Sequence, residues 1–149
     1  MMNDSLLSGS EAHEAHPTIH VTEQDWKRLT SLLTTTGGRW SVETCEALDA
    51  ELARATVVPR EKVGPDVVTM NSRVRVEVGG ARRMDRTLVY PWDADELTGR
   101  LSVLSPLGSA LLGLKIGDTI AWSLPDGTTV DVKVLEVLYQ PEAHGDHWL

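Results

Sequence analysis

The chain has 149 residues, a formal net charge of −8, one cysteine, five tryptophans and no phenylalanine. That length bounds it to one domain, or one small core with an appended element, and the acidic balance argues against nonspecific binding to nucleic acid or anionic membrane. The lone Cys45 cannot close an internal disulfide, which suits a reducing cytoplasm, and no apolar run approaches the roughly eighteen residues of a membrane span.

Residues 1–17 are small, polar and acidic and end at Pro17. They lack the basic and apolar regions of a signal peptide and read as a disordered arm. His13, His16 and His20 lie near Glu11 and Glu14, a spacing that metal ligands can have. Pro17 breaks any helix there and no cysteine is close, so no metal site is expected.

A first helix is predicted after Thr22, an N-cap. Glu23 and Asp25 in its first turn suit the macrodipole, and Trp26, Leu29, Leu32 and Leu33 share one apolar face. Thr34 to Gly38 ends it. A second helix is predicted after Ser41, with Val42, Cys45, Leu48, Leu52 and Ala55 as its packed seam, and Pro59 follows it. Joined by a short turn, the two should be antiparallel neighbours, each about a dozen residues and about 20 Å long. Cys45 on that seam reads as a small apolar residue, with no partner at a nucleophile's spacing.

Residues 59–66 read as a proline- and charge-rich linker. Beyond them the apolar period changes from helical to two. Val74, Val76 and Val78 alternate up to the glycine pair at 79–80, a hairpin turn, and "RTLVYP" and "GRLSVLS" supply two further strands. Ser105, Pro106 and Gly113 punctuate a short helix as cap, first residue and stop. A long hairpin is predicted around Pro125-Asp126-Gly127. The fold class expected is α+β: a short helical hairpin, then an antiparallel sheet of about five strands over one short helix. Arg73, Arg75, Arg82, Arg83 and Arg86 crowd the first sheet hairpin and read as a solvated face paired with Glu77 and Asp85, the alternative being a positive patch that complements an acidic protein surface and steers association.

"PDVVTMNSRVRV" (65–76), "RTLVYP" (86–91), "LSVLSPLGSALLGLKIGDTIAWSLPDG" (101–127) and "VLEVLYQPEAHGD" (134–146), with "PTI" (17–19) and "ALDAELARA" (47–55), resemble the Gre-factor family of bacterial transcription proteins. The resemblance is strongest to its branch of regulators of nucleoside diphosphate kinase. It implies a helical hairpin (18–58), a linker (59–66), an FK506-binding-protein-like domain (67–141) and a tail (142–149). It also implies a cytoplasmic, monomeric, non-enzymatic protein without cofactor or metal. Its partner would be RNA polymerase, at the rim of the secondary channel, with no membrane and no direct sequence-specific nucleic acid contact.

Gre cleavage factors carry two acids at the hairpin tip, where they hold a metal near the polymerase active site, a hard-cation carboxylate chemistry. Here the tip, Gly37, Gly38, Arg39 and Trp40, has no acid at its apex. Glu43 and Glu46 follow in the first turns of the next helix, where the dipole alone favours acids. The helices are also roughly half the length that the cleavage factors use. The resemblance therefore implies a hairpin that occupies the channel mouth without chemistry, in competition with the longer Gre factors. The polymerase-gripping turn of the family falls on Leu104, Ser105 and Pro106, with Leu104 standing where the family has an acid or amide. Two alternatives remain: a shortened cleavage factor using Glu43 and Glu46, and a protein that binds nucleoside diphosphate kinase directly. Prolyl isomerase activity is not expected, because the sheet domain has few aromatics to line such a pocket.

Overall fold

The structure, a computed structural model, describes residues 17–35, 40–124 and 126–146. The predicted histidines His13 and His16, the tip residues Gly37, Gly38 and Arg39, the turn residue Pro125 and the end of the tail lie outside them. Strand β1 (His20–Thr22) leads into α1 (Glu23–Thr35), followed by α2 (Val42–Arg54) and β2 (Thr56–Val58). The sheet region contains β3 (Arg73–Val78), β4 (Arg82–Val89), β5 (Arg100–Ser102), α3 (Pro106–Leu111), β6 (Thr119–Ser123) and β7 (Thr129–Tyr139). No helix among the described residues is long and apolar enough to cross a membrane.

Local signals set the helix starts. The Thr22 Oγ1 accepts the Asp25 N–H at 3.0 Å, and the Ser41 Oγ accepts that of Thr44 at 3.1 Å. Ser105 caps α3 by accepting the Gly108 N–H at 3.0 Å, and Pro106 occupies the first turn. The Trp26 indole, in the first turn of α1, donates to the Leu52 carbonyl in the last turn of α2 at 3.3 Å. The start of one helix therefore lies beside the end of the other. In α2 the seam is narrower than its spacing predicts: Leu48 and Leu52 are buried, but Val42 is exposed to solvent.

The five-stranded sheet runs in the order β5-β4-β3-β7-β6. The expectation of an antiparallel sheet is corrected at one edge, because β5 pairs parallel to β4, through Thr87–Arg100, Leu88–Leu101 and Val89–Ser102. Parallel neighbours need a crossover in place of a tight turn, and residues 90–99 provide it. A second parallel pair was not anticipated. Strands β1 and β2 join at His20–Thr56, Val21–Val57 and Thr22–Val58, tying the entry of α1 to the exit of α2.

Helices and sheet share one apolar core. Ile19, Leu29, Leu48 and Leu52 from the helical segment pack with Val74, Val76, Leu88, Leu111 and Val134 from the sheet segment, all at most 3% exposed. Two short helices could not bury such a face on each other alone, and the sheet covers the remainder. Close approach demands glycine at two places. A Cβ on Gly108 would overlap the Ser102 carbonyl oxygen, and one on Gly113 (φ +82°) would lie 2.7 Å from the Ile19 Cβ.

Candidate protein-docking groove

The core face of the sheet extends beyond its cover. Register places Arg86 opposite Val74, Met84 opposite Val76 and Arg82 opposite Val78, so these β4 side chains share the face whose inner end is core. The other side of the hairpin behaves as its charges predict. Arg75 pairs with Asp85 at 2.9 Å and with Glu136 at 3.6 Å; Arg73 reaches Asp85 at 3.7 Å and Arg83 reaches Glu77 at 3.8 Å. The Arg75 guanidinium holds the Asp85 carboxyl below the usual carboxylate range. For Arg82 and Arg86 the expectation of a paired, solvated face is corrected, because alternation turns them to the opposite side.

Helix α3 has only six residues and covers only part of this face. What remains open is a groove of about 510 Å³. Val78, Met84, Leu101, Trp122 and Leu124 give it apolar walls; Arg82, Arg86 and Arg100 add three cations. Ser105, Pro106 and Leu107, at the start of α3, close one side. Glu96 is the one acid in the lining, and among the described residues no carboxylate lies within ion-pair distance of Arg82, Arg86 or Arg100. Unneutralised guanidiniums over an apolar floor match an apolar segment bearing carboxylates, because the floor desolvates the contact and each guanidinium can bind a carboxylate bidentately.

The predicted gripping turn is thus divided. Ser105 and Pro106 line the groove, whereas Leu104 is 5% exposed and packs in the core. Met84, Leu101, Arg100, Trp122 and Leu124 were not singled out from sequence as groove residues. The signal available was the alternation Arg82-Met84-Arg86 in phase with Met84, an apolar residue among four charged ones. Of the predicted tip, Trp40 is half-buried against the core cluster, while Glu43 and Glu46 are exposed on α2. No cluster of three potential metal ligands exists among the described residues.

A second site was missed altogether. Asp25, read from sequence as a first-turn acid, is 2% exposed, and its Oδ2 accepts the Met70 N–H at 3.1 Å. Burial pushes its pKa up to about 7, helped by the nearby Glu142 and opposed by the Met70 hydrogen bond and by Arg28 and Arg60. Around it, Arg60 donates to the Gln24 side chain at 3.2 Å and to the Asp146 carbonyl at 2.8 Å, and Thr69 donates to Glu142 at 2.7 Å. This polar seam fastens α1 to the sheet segment. The predicted linker participates, since Arg60 is folded into the seam.

Comparisons place this geometry among known proteins. Residues 62–139 match the family model described as "Transcription elongation factor, GreA/GreB, C-term", and residues 17–58 match "Rnk N-terminus". The regulator of nucleoside diphosphate kinase of Escherichia coli strain K12 is 43% identical over 136 residues, which are 91% of this chain and 99% of that protein. The transcription elongation factor GreA of Thermodesulfovibrio yellowstonii is 29% identical over 96 residues, 64% of this chain and 60% of that one. A solved structure described as a prokaryotic transcription elongation factor GreA/GreB from Nitrosomonas europaea is 46% identical, with a TM-score of 0.68, covering 83% of this chain and 99% of that chain. The chain belongs to the GreA/GreB family, in the branch of the regulators of nucleoside diphosphate kinase.

Proposed function

We propose that this protein is a non-enzymatic regulator that docks on bacterial RNA polymerase through the arginine-rimmed groove, at the rim of the secondary channel. On this reading the helical segment (18–58) forms a hairpin that occupies the channel mouth, and the sheet segment (67–141) is the FK506-binding-protein-like anchor. The protein then competes with the longer Gre cleavage factors, and any effect on nucleoside diphosphate kinase, the activity in the relative's name, is indirect, through transcription.

The observation that carries this reading is the groove itself. Its wall is built by the Ser105-Pro106 turn, and its arginines, none of them in an ion pair among the described residues, sit beside apolar walls. Helix length supports the absence of chemistry: α1 and α2 have 13 residues each, about 20 Å. The test is binding of the purified protein to core RNA polymerase, with and without excess Gre cleavage factor. Saturable binding that the competitor displaces is expected. Absence of binding at micromolar concentrations overturns the reading. Cleavage of backtracked RNA that vanishes in Glu43→Ala/Glu46→Ala would replace it with the cleavage-factor alternative.

A further inference from the structure

The β4–β5 crossover, residues 90–99, holds a second contact surface. Among the described residues five large apolar side chains are exposed, and two of them are Trp92, at 69%, and Leu97, at 97%, in this one loop. An exposed leucine in a loose segment would mean little. This segment is not loose. Pro91 starts one 3₁₀ turn, closed by Asp93 N–H to the Tyr90 carbonyl at 2.9 Å. Asp95 caps a second by accepting the Leu97 N–H at 3.0 Å, and its backbone pairs both ways with Arg100 at 2.9 Å.

The Trp92 ring stacks on Tyr90 at 5.3 Å between centroids and 4° between planes, and Tyr90 is itself buried. The indole is therefore held in place with most of its surface in water. Side chains fixed in advance lose little entropy on binding, and tryptophan is among the residues that dominate interfaces. Residues 90–99 contain Asp93, Asp95 and Glu96 and no lysine or arginine, although Asp93 shares a depression with Arg73 and Arg100. The loop's end meets the groove, since Glu96 and Gly99 belong to both.

We propose that the crossover loop is the second half of the groove's docking surface: Trp92 and Leu97 enter an apolar recess on the same protein partner, flanked there by a basic side chain that faces Asp93. The partner thus presents an acidic, apolar segment to the groove and a basic, apolar one to the loop. This inference rests on the docking reading above. The segregation of charge fixes orientation as well as affinity, because a partner turned end for end would set like charges against each other.

The test measures affinity for purified core RNA polymerase of the wild type, Trp92→Ala, Leu97→Ala, Asp93→Lys and the groove variant Arg86→Glu, with thermal melts as a folding control. Leu97→Ala keeps the experiment decisive even if Trp92→Ala loosens the loop, because that side chain is almost fully exposed. The expected result is at least a tenfold loss for Trp92→Ala, a severalfold loss for Leu97→Ala and for Asp93→Lys, and unchanged melting of Leu97→Ala. If Arg86→Glu weakens binding while all three loop variants stay within twofold of wild type, the inference is overturned and the docking reading stands. If the wild type does not bind, the docking reading itself fails, and this inference with it.

Discussion

Two ends of one sheet face make the instructive contrast in this molecule. At the inner end Val74, Val76 and Val134 are wholly buried beneath the helices. Toward the outer part of the same face Val78 at the end of β3, Met84 beside Val76 on the neighbouring β4, and Trp122 on the edge strand β6 are half-buried near Arg82 and Arg86. The period-two alternation is the same at both ends. What differs is cover: α1, α2 and the six-residue α3 close the inner end and stop short of the outer one. An apolar sheet face thus becomes core or docking surface according to what lies over it.

The largest effect that could sharpen this contrast is a truncation at each end. Leu48→Ala removes a fully buried side chain from under the helices and should cost about 2–5 kcal/mol in denaturant unfolding. Met84→Ala, at the open end, should cost less than about 1 kcal/mol, because water already reaches the site. Equal costs would mean that the groove is core in all but name and break the comparison.

Asp25 supplies a second effect of similar size at the covered end. Its folded pKa, about 7, lies above the unfolded value near 3.8, so the fold binds the extra proton between those limits. Its contribution is most favourable below pH 4 and is lost as pH rises to 7, by up to roughly 4 kcal/mol. Asp25→Asn keeps an acceptor for the Met70 N–H without the charge. Unfolding measured from pH 4 to 8 should show the variant matching wild type at the acid end and gaining on it toward pH 8. A constant difference across that range would contradict the assignment.

Smaller effects belong to the open end. Ser105→Ala removes the α3 cap and should cost about 1 kcal/mol in the same assay. Arg86→Glu loses the hydrogen bonds that Arg86 donates to the Asp85 carbonyl and the Met84 sulfur and should cost about 1 kcal/mol. A drop of several kcal/mol there would show that the arginine holds the fold together, and the groove would lose its main claim to a partner.

Much of this architecture is legible in the chain. Thr22, Ser41 and Ser105 mark the helix starts because capping is decided within four residues. The glycine pair at 79–80 and the Asp126-Gly127 turn announce hairpins because a turn's backbone angles select their residues. The alternation of Val74, Val76 and Val78 names a sheet face before its cover is known. Family membership is also legible, in long stretches such as "VVTMNSRV".

The sheet's partners are not legible in the same way. The parallel pairing of β5 with β4, and of β1 with β2, joins residues far apart in sequence, and nothing in three-residue strands specifies a neighbour. Leu104 and Ser105 are adjacent, yet one is core and the other groove wall, a division set by how α3 seats on the sheet. Asp25 carries an ordinary first-turn pattern, and only the approach of Met70 from 45 residues away buries it and lifts its pKa. Local chemistry thus determined where this protein's elements begin, turn and alternate. The tertiary structure decided which alternating face is sealed, which arginines have no carboxylate beside them and which acid is dry, because burial depends on what distant segments place over a residue.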